Sequence, residues 1–404
     1  MRLYGVKKVL SFLLIIAIIG VGYFCFFDND NGEKKNENSA LATMEENPTL
    51  YPLYNRISDQ EKEAYIKILT AFQNFEENIS NVYKSDSKRG IESFIYSLKC
   101  NIYREIAYEH PELFWYDPYN FEPTITVNGN NEYFLQIKPV YLFDKEQVEQ
   151  MNSEFQQKID AIVSVAKAKS NTYEQVLYVH DYIVDNCVYD YDTYNKGDYK
   201  SRSINAYGCL VDGKAICSGY SMAFSTIMKR LGYEIGAEFS AYDGFSIFSE
   251  GHVWNYCKLD GDYYYFDLTW DDIDPKTDFL YKRFEYYHSY FAITRDELAK
   301  AHLTLAPQAP TPECNGTKYN YFAYNNLNFK TYDFETVKPA ILSQAGQKYI
   351  QLRFDSYGEL LSAERDLLTN GKIFKIFPNS KSYEYYISES KLQLYIFMND
   401  YYLE

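Results

Sequence analysis

The sequence predicts an α+β protein that follows an N-terminal transmembrane helix, and three features support this prediction. A helix-capping pattern at Ser58 to Glu61 introduces a run with helical periodicity. Asn128-Gly129 and Asp260-Gly261 each separate two runs rich in aromatic and β-branched residues, which is typical of a β-hairpin. Val9 to Phe27 is uncharged and almost entirely apolar. Together these features predict helices and antiparallel strands behind an apolar segment.

The composition excludes several classes of protein. The 404-residue chain has a formal net charge of −16, which argues against non-specific nucleic-acid binding because that binding needs basic surface. Its 7 cysteines are too few, and odd in number, for a disulfide scaffold. At about 100–200 residues per domain, the length predicts two or three domains.

The first residues predict a membrane anchor. Residues 1–8 are positively charged, and residues 9–27 would span roughly 28 Å as a helix, close to the bilayer core of about 30 Å. A cleaved signal peptide is the alternative, but its apolar region is usually shorter and ends in small residues, whereas this one ends in Phe27. We therefore expect a cytoplasmic segment at 1–8, a flexible tether at 28–48, and the bulk of the chain outside the cell membrane.

Residues 49–168 are predicted to form an N-terminal α+β domain. Helices are expected after Ser58, over Ile91 to Tyr108 and from Asp144 to Ala168, with the Asn128-Gly129 hairpin between the last two. No catalytic constellation is visible in this unit.

Residues 306–404 are predicted to form a C-terminal α/β domain behind a proline-spaced linker. Its expected elements are strands at 349–354, 383–387 and 392–397 and a helix at 357–368. No nucleotide-binding or metal-binding motif appears in the chain, so we expect neither a cofactor nor a metal.

The unit between them, residues 169–305, contains a cysteine at the predicted start of a helix. After Cys217, one apolar face recurs at helical spacing from Tyr220 to Leu231, and Gly232 ends the pattern. The helix macrodipole and free N–H groups at such a position favour a thiolate and can hold an oxyanion. The alternative is that Cys217 is a small buried hydrophobic residue.

The hairpin around Asp260-Gly261 brings a histidine and a carboxylate together. With a two-residue or a four-residue loop, Trp254 lies opposite Asp267 and His252 opposite Thr269, so His252 and Asp267 share one face of the hairpin. A three-residue loop would break this arrangement. A carboxylate beside an imidazole fixes its tautomer, and the imidazole can then deprotonate a thiol.

Cys217, His252 and Asp267 are therefore candidates for nucleophile, base and orienting carboxylate. Two alternatives stay open at this point. His252 can be a hydrogen-bonded core histidine, and Asp267 can cap a turn that leads into Trp270. Spacing alone does not show that the start of the helix meets the face of the hairpin.

Three motifs resemble the transglutaminase-like superfamily, and most of all its bacterial extracytoplasmic branch. They are Tyr207 to Phe224, Gly251 to Asn255 and Tyr265 to Asp271. Residues 172–187 resemble the helix that precedes the nucleophile in this family, with a capping box expected at Thr172. The resemblance implies a papain-like core in which the cysteine helix packs on an antiparallel sheet.

The resemblance also implies a Cys-His-Asp triad at Cys217, His252 and Asp267, and acyl transfer from a protein or peptide amide through a thioester. The acceptor is an amine in transglutaminases and water in peptidases and amidases. A catalytically silent domain that binds surface ligands or serves a structural role is the alternative hypothesis.

Residues near the motifs receive structural interpretations. Trp254 is expected to be a packed aromatic and His180 a core residue, and the acidic group that begins at Asp271 is expected to be solvated. No residue is assigned as a second oxyanion donor, and Tyr207 is the residue considered for that role. His302 shows no metal-like spacing and receives no role.

Overall fold

A computed structural model describes residues 44, 48–198, 200–240, 251–272, 287–302, 311–347 and 349–398, without the side chains of residues 100 and 101. The predicted anchor at 9–27 and the cytoplasmic segment before it lie outside these ranges. Of the helices within them, none is long and apolar enough to cross a membrane.

The N-terminal unit consists of helices packed against a three-stranded antiparallel sheet. Its helices are α1 (Asp59–Asn74), α2 (Lys88–Ser97), which continues through a π-helical turn (Leu98–Ile102) into α3 (Tyr103–Glu109), and α4 (Lys145–Lys167). Its strands are β1 (Ile79–Ser85), β2 (Tyr116–Val127) and β3 (Tyr133–Tyr141), in the order β1-β3-β2.

The local signals in this unit are confirmed. Ser58 and Asp144 form capping boxes at the starts of α1 and α4. The turn that contains Asn128 joins β2 to β3, with Val127 paired to Tyr133.

The middle unit begins with α5 (Thr172–Asn186), the short strand β4 (Val188–Tyr189) and α6 (Tyr191–Lys196). A 3₁₀ turn (Arg202–Ile204) and a π-helical turn (Gly208–Asp212) lead to β5 (Lys214–Ala215), which pairs in parallel with β4. The capping box expected at Thr172 is wrong: Asn171 caps α5 instead, because its side chain accepts the backbone N–H of Glu174 at 3.0 Å.

The central helix α7 (Cys217–Arg230) packs on a three-stranded antiparallel sheet. The strands are β6 (Ile235–Phe239), β7 (Val253–Leu259) and β8 (Asp262–Phe266), with β7 in the middle. Asn255 on β7 fastens the two layers, because its Nδ2 donates to Ser225 Oγ at 3.0 Å and to Ser221 O at 3.3 Å, both on α7.

The predicted register of the β7–β8 hairpin is confirmed. Leu259 pairs with Asp262 and Asn255 with Phe266, as a two-residue loop requires. Asp260 and Gly261 have φ angles of 50° and 103°, so both residues of the turn adopt the left-handed conformation of a type I′ turn. The ladder ends at Phe266, however, so His252 does not pair with Thr269.

After β8 come two short helices, α8 (Leu268–Asp271) and α9 (Arg295–Leu298). The C-terminal unit follows with α10 (Tyr321–Tyr324), β9 (Asn328–Phe329), α11 (Phe334–Leu342), β10 (Ile350–Phe354), α12 (Tyr357–Ala363), a π-helical turn (Glu364–Thr369), α13 (Ile373–Ile376), β11 (Tyr383–Ser388) and β12 (Gln393–Met398). Its sheet has the order β11-β12-β10-β9, with β9 parallel to β10.

The hydrophobic interior explains how the units are held together. One core contains buried residues from α1 through β8, so the N-terminal sheet and the helix α7 share an interior. A separate core fills the C-terminal sheet and the helices from α11 onward, whereas the buried residues of α10 belong to the first core. The mixture of helices with mainly antiparallel sheets confirms the α+β prediction.

Candidate active site

The thiol of Cys217 lies at the start of α7, as the sequence predicts. The residue before it, Ile216, is extended and offers no side-chain cap, so the first N–H groups of the helix have no capping side chain. Cys217 is buried, with 8% of its surface exposed. The helix start therefore provides both the thiol and a set of donors that suit an anion.

A close backbone crossing sets the position of the helix start. A Cβ on Gly219 would stand 2.7 Å from both Ala215 Cβ and Ser203 O. Only glycine fits there, which lets the segment before α7 pass directly beneath its first turn.

The His252 and Asp267 side chains meet as the hairpin predicts. His252 Nε2 lies 2.6 Å from Asp267 Oδ2. The imidazole is 15% exposed and the carboxylate 1%, so the carboxylate is fully buried and the imidazole mostly so. Because Nε2 faces the carboxylate, Nδ1 is the ring nitrogen left for Cys217, whose side chain also hydrogen-bonds with His252.

The electrostatics of this pair favour the charged forms. Burial alone would lower the pKa of His252, but the charge of Asp267 and hydrogen bonds to Asp267 and Cys217 raise that pKa to about 10. Burial would likewise raise the pKa of Asp267, but the imidazoles around it hold that pKa well below its usual value. The arrangement can therefore stabilise an imidazolium beside the thiol.

Asp267 also has the capping role that was its alternative interpretation. It is the N-cap of α8, and its Oδ1 accepts the backbone N–H of Trp270 at 3.1 Å. This cap ends β8, because the chain turns into a helix immediately after Phe266. The two interpretations of Asp267 are compatible, since each uses a different carboxylate oxygen.

The sequence reasoning missed His302. Its Nε2 lies 2.7 Å from the same Oδ2 of Asp267. His302 follows Asp267 by 35 positions and comes after α9, so no local periodicity or motif connects the two. The sequence feature that could have drawn attention to His302 is that the chain has only five histidines.

The N-terminal unit also reaches the site. The pairing of β2 with β3 is irregular between Tyr116 and Phe121, and Tyr119 lies in this stretch. Burial raises the pKa of Tyr119, and the Cys217 thiol adds to the rise, as it does for Tyr108. The two hydroxyls therefore belong to the surroundings of the thiol, a contribution that the sequence of this unit did not suggest.

A second buried network lies one helical turn from Asp267. Asp271 is fully buried, so its expected solvation is wrong; its Oδ2 lies 3.1 Å from His180 Nε2. His180 is a core residue, as expected, and Asp181 Oδ1 accepts from both His180 Nδ1 (2.9 Å) and His288 Nε2 (2.8 Å). Burial would lower the pKa of His180, but these carboxylates raise it to about 9.

Two groups in the described residues have a geometry that could hold a metal ion. They are His180, Asp181 and His288, and His252, Asp267 and His302, with ligand atoms within 4.8 Å of one another in each group. In both groups the facing imidazole nitrogens are already hydrogen-bonded to the shared carboxylate.

Two other residues singled out in the sequence have contacts of their own, and Trp254 is packed as expected. Tyr207 donates its hydroxyl to Glu154 Oε2 at 3.1 Å. Trp254 is packed, with 1% of its surface exposed, and its ring centre lies 5.8 Å from that of His252.

Comparison with known proteins finds a family match over this part of the chain. Residues 160–268 match the family model of the transglutaminase-like superfamily. This range includes Cys217, His252 and Asp267, and thiol-dependent catalysis in general fits such a domain. No curated protein matches the chain.

Two solved structures show a weak likeness. A TGase crystal structure is 15% identical over 37% of this chain and 44% of its own, with a TM-score of 0.25. A protein from Cytophaga hutchinsonii, proposed to be a cysteine protease, is 14% identical over 37% of this chain and 62% of its own, with a TM-score of 0.22. The chain thus spans less than two thirds of either, and at these scores neither likeness bears on the reaction.

Proposed function

We propose that this chain, which contains a transglutaminase-like domain at 160–268, is a cysteine-nucleophile enzyme that acts on protein or peptide amides. Cys217 is the nucleophile, His252 the base and Asp267 the orienting carboxylate. The observation that carries the proposal is the 2.6 Å contact between His252 and Asp267, with the other edge of the imidazole turned to a thiol at a helix start.

The proposed reaction begins with the thiolate of Cys217 attacking the amide carbonyl carbon. The first N–H groups of α7 stabilise the negative oxygen of the tetrahedral intermediate. The C–N bond then breaks as the His252 imidazolium gives its proton to the departing amine, which leaves a thioester on Cys217.

The second half releases the acyl group. His252, now neutral, takes a proton from water or from an amine, and that nucleophile attacks the thioester carbonyl. The Cys217 sulfur leaves as a thiolate, and the proton stays on the imidazole. We propose water as the acceptor, because no distinct site for a second amine appears in the sequence.

An incorporation assay separates hydrolysis from amine transfer. The full chain is incubated with a glutamine-containing peptide and a labelled primary amine, and the products are analysed by mass. We expect a loss of ammonia without label, and a matched Cys217→Ala variant that does nothing. Incorporation of the labelled amine would instead identify a transglutaminase.

The proposal extends to the location of the enzyme. The apolar segment at 9–27 is proposed to anchor the chain in the cell membrane, with the acyl-transfer domain outside. Substrates would then be extracytoplasmic proteins or peptides. Protease added to intact cells tests this arrangement, because it should degrade the chain only if the domain is exposed.

A further inference from the structure

The carboxylate of Asp267 accepts more hydrogen bonds than the triad alone requires. Its Oδ2 accepts from His252 Nε2 at 2.6 Å and from His302 Nε2 at 2.7 Å, while Oδ1 accepts from the backbone of Trp270. Both oxygens of a carboxylate with 1% of its surface exposed are therefore fixed by donors. A buried carboxylate with this many donors has a single orientation.

We propose that His302 is a positioning residue, which donates its Nε2–H to Asp267 Oδ2 and holds the carboxylate in the orientation that aligns His252. The proposal rests on the proposed function, because alignment matters only if His252 serves Cys217. The side chain of His302 hydrogen-bonds to Asp267, so we expect it to act through that carboxylate.

The protonation of His302 follows from its two nitrogens. An ionised carboxylate only accepts hydrogen bonds, so the nitrogen that faces it carries the proton. The other nitrogen, Nδ1, is buried and has no hydrogen-bond partner among the described residues. Nε2 is therefore the nitrogen through which His302 acts on Asp267, and it carries the proton of that hydrogen bond.

Packing fixes the orientation of the His302 ring. Its centre lies 4.1 Å from the ring of Trp270, 4.9 Å from that of Trp254 and 5.2 Å from that of Tyr290. Only 2% of the His302 side chain is exposed. Because the three aromatic rings confine the imidazole, the hydrogen bond to Asp267 has a fixed direction.

The ionisable groups around this cluster come from several elements. Asp271 lies on α8, one turn from Asp267, and Lys391 Nζ lies 3.8 Å from the centre of the Tyr290 ring that faces His302. Tyr290 also connects Asp271 to this cluster, since its backbone N–H donates to the Asp271 carboxylate, and Tyr108 and Tyr119 lie near the Cys217 thiol.

The test compares a substitution that keeps the donor with one that removes it. A glutamine amide reaches about as far as an imidazole Nε2, so His302→Gln retains a donor, and His302→Leu does not. His110→Gln is the matched control, because His110 is also buried and paired, to Tyr65 at 2.9 Å, but lies in the N-terminal unit.

Two readouts are measured on the full chain. The first is the pH dependence of Cys217 alkylation by iodoacetamide. The second is the pH at which His252 loses its ring proton, followed by ¹⁵N-histidine NMR, which is practical because the chain has only five histidines. A purely structural role would lower stability or yield without moving either readout.

We expect His302→Leu to slow Cys217 alkylation at pH 7 about tenfold and to move its pH midpoint upward, by analogy with the hydrogen bonds that orient metal ligands, whose loss typically costs about 10–100-fold in activity. The NMR titration should show His252 losing its ring proton at a lower pH than in the wild type, because a misaligned Asp267 stabilises the imidazolium less. His302→Gln and His110→Gln should stay within about threefold of the wild type. If His302→Leu does not fold, His302→Asn replaces it, because its amide is too short to reach Asp267.

Unchanged Cys217 alkylation and an unchanged His252 titration in His302→Leu would overturn the inference, and so would a His302→Gln variant that is impaired as much as His302→Leu. Failure of the proposed function has a different result. In that case the wild-type thiol itself shows no dependence on His252, which a His252→Ala variant in the same series detects.

Discussion

The strongest quantitative prediction concerns the buried ion pair of His252 and Asp267, perturbed by Asp267→Asn. Asparagine keeps an oxygen for the Trp270 N–H and is itself a good N-cap residue, so the substitution removes the charge and preserves the start of α8. The difference in unfolding free energy between the wild type and this variant then reports the loss of the charge together with the hydrogen bonds that Oδ2 accepts from His252 and His302.

The magnitude follows from the pKa of His252, which rises from 6.5 to about 10 in the folded protein. One pKa unit is worth about 1.4 kcal/mol, so the full shift sets an upper bound of roughly 5 kcal/mol. Breaking a buried pair typically costs about 3–5 kcal/mol, and we expect about 3 kcal/mol at pH 6.

The sign of the pH dependence is also determined. Because the folded state binds the His252 proton more tightly than the unfolded state, the stabilisation is fully present below pH 6.5. It is lost as the pH rises through about 10. The free energy of unfolding of the wild type should therefore exceed that of Asp267→Asn by progressively less between pH 6.5 and 10.

Other buried groups titrate in the same range. Burial lowers the pKa of Lys229 to about 8 and raises that of Glu105 to about 7. Their contributions are common to both proteins and cancel in the difference.

Urea unfolding at half-unit pH intervals is the assay, followed by tryptophan fluorescence. Two of the 3 tryptophans, Trp254 and Trp270, have ring centres within 5.8 Å of that of His252, so the signal reports this region. Asp271→Asn is the control on the same helix. The difference in unfolding free energy between this variant and the wild type should disappear near pH 9, where His180 titrates. A difference for Asp267→Asn that is flat or grows with pH would refute the reasoning.

Three further predictions concern how the helix and the hairpin are held. Gly261→Ala should destabilise the protein by about 1 kcal/mol, because Gly261 has φ of 103° and its Cβ would meet no atom within 4 Å; thermal unfolding would show this, and no change would contradict the turn assignment. Gly219→Ala should lower the free energy of unfolding by about 1–3 kcal/mol, measured in urea, and slow Cys217 alkylation, because the new Cβ would lie 2.7 Å from two groups. A variant as stable as the wild type would argue against the close approach of the backbone at Gly219. Asn255→Ala should cost about 2 kcal/mol and also slow alkylation, because it loses the bonds from β7 to α7, and unaltered alkylation would mean that these bonds do not align the site.

Much of the candidate site was predictable because it depends on local chain geometry. The two-residue turn at Asp260-Gly261 sets the hairpin register, and strand alternation then places His252 and Asp267 on one face. The position of Cys217 at the start of α7 follows from helical periodicity after it.

The unpredicted parts depend on contacts between distant segments. His302 meets Asp267 only because the chain after α9 folds back over α8, and Tyr119 approaches Cys217 only through the shared core. The end of β8 at Phe266 was not predicted for a different reason. Asp267 could either continue the strand pairing or cap a following helix, and in the structure it caps α8.

The central claim is that His252 holds Cys217 as a thiolate, and the pH dependence of Cys217 alkylation tests it most directly. The full chain and its His252→Ala variant are treated with iodoacetamide across pH 5–10, and the label is located by peptide mass. We predict that wild-type Cys217 reacts well below pH 8 and that His252→Ala reacts only near the ordinary thiol pKa of about 8.5. Identical profiles for the two proteins, both with a midpoint near 8.5, would contradict the account.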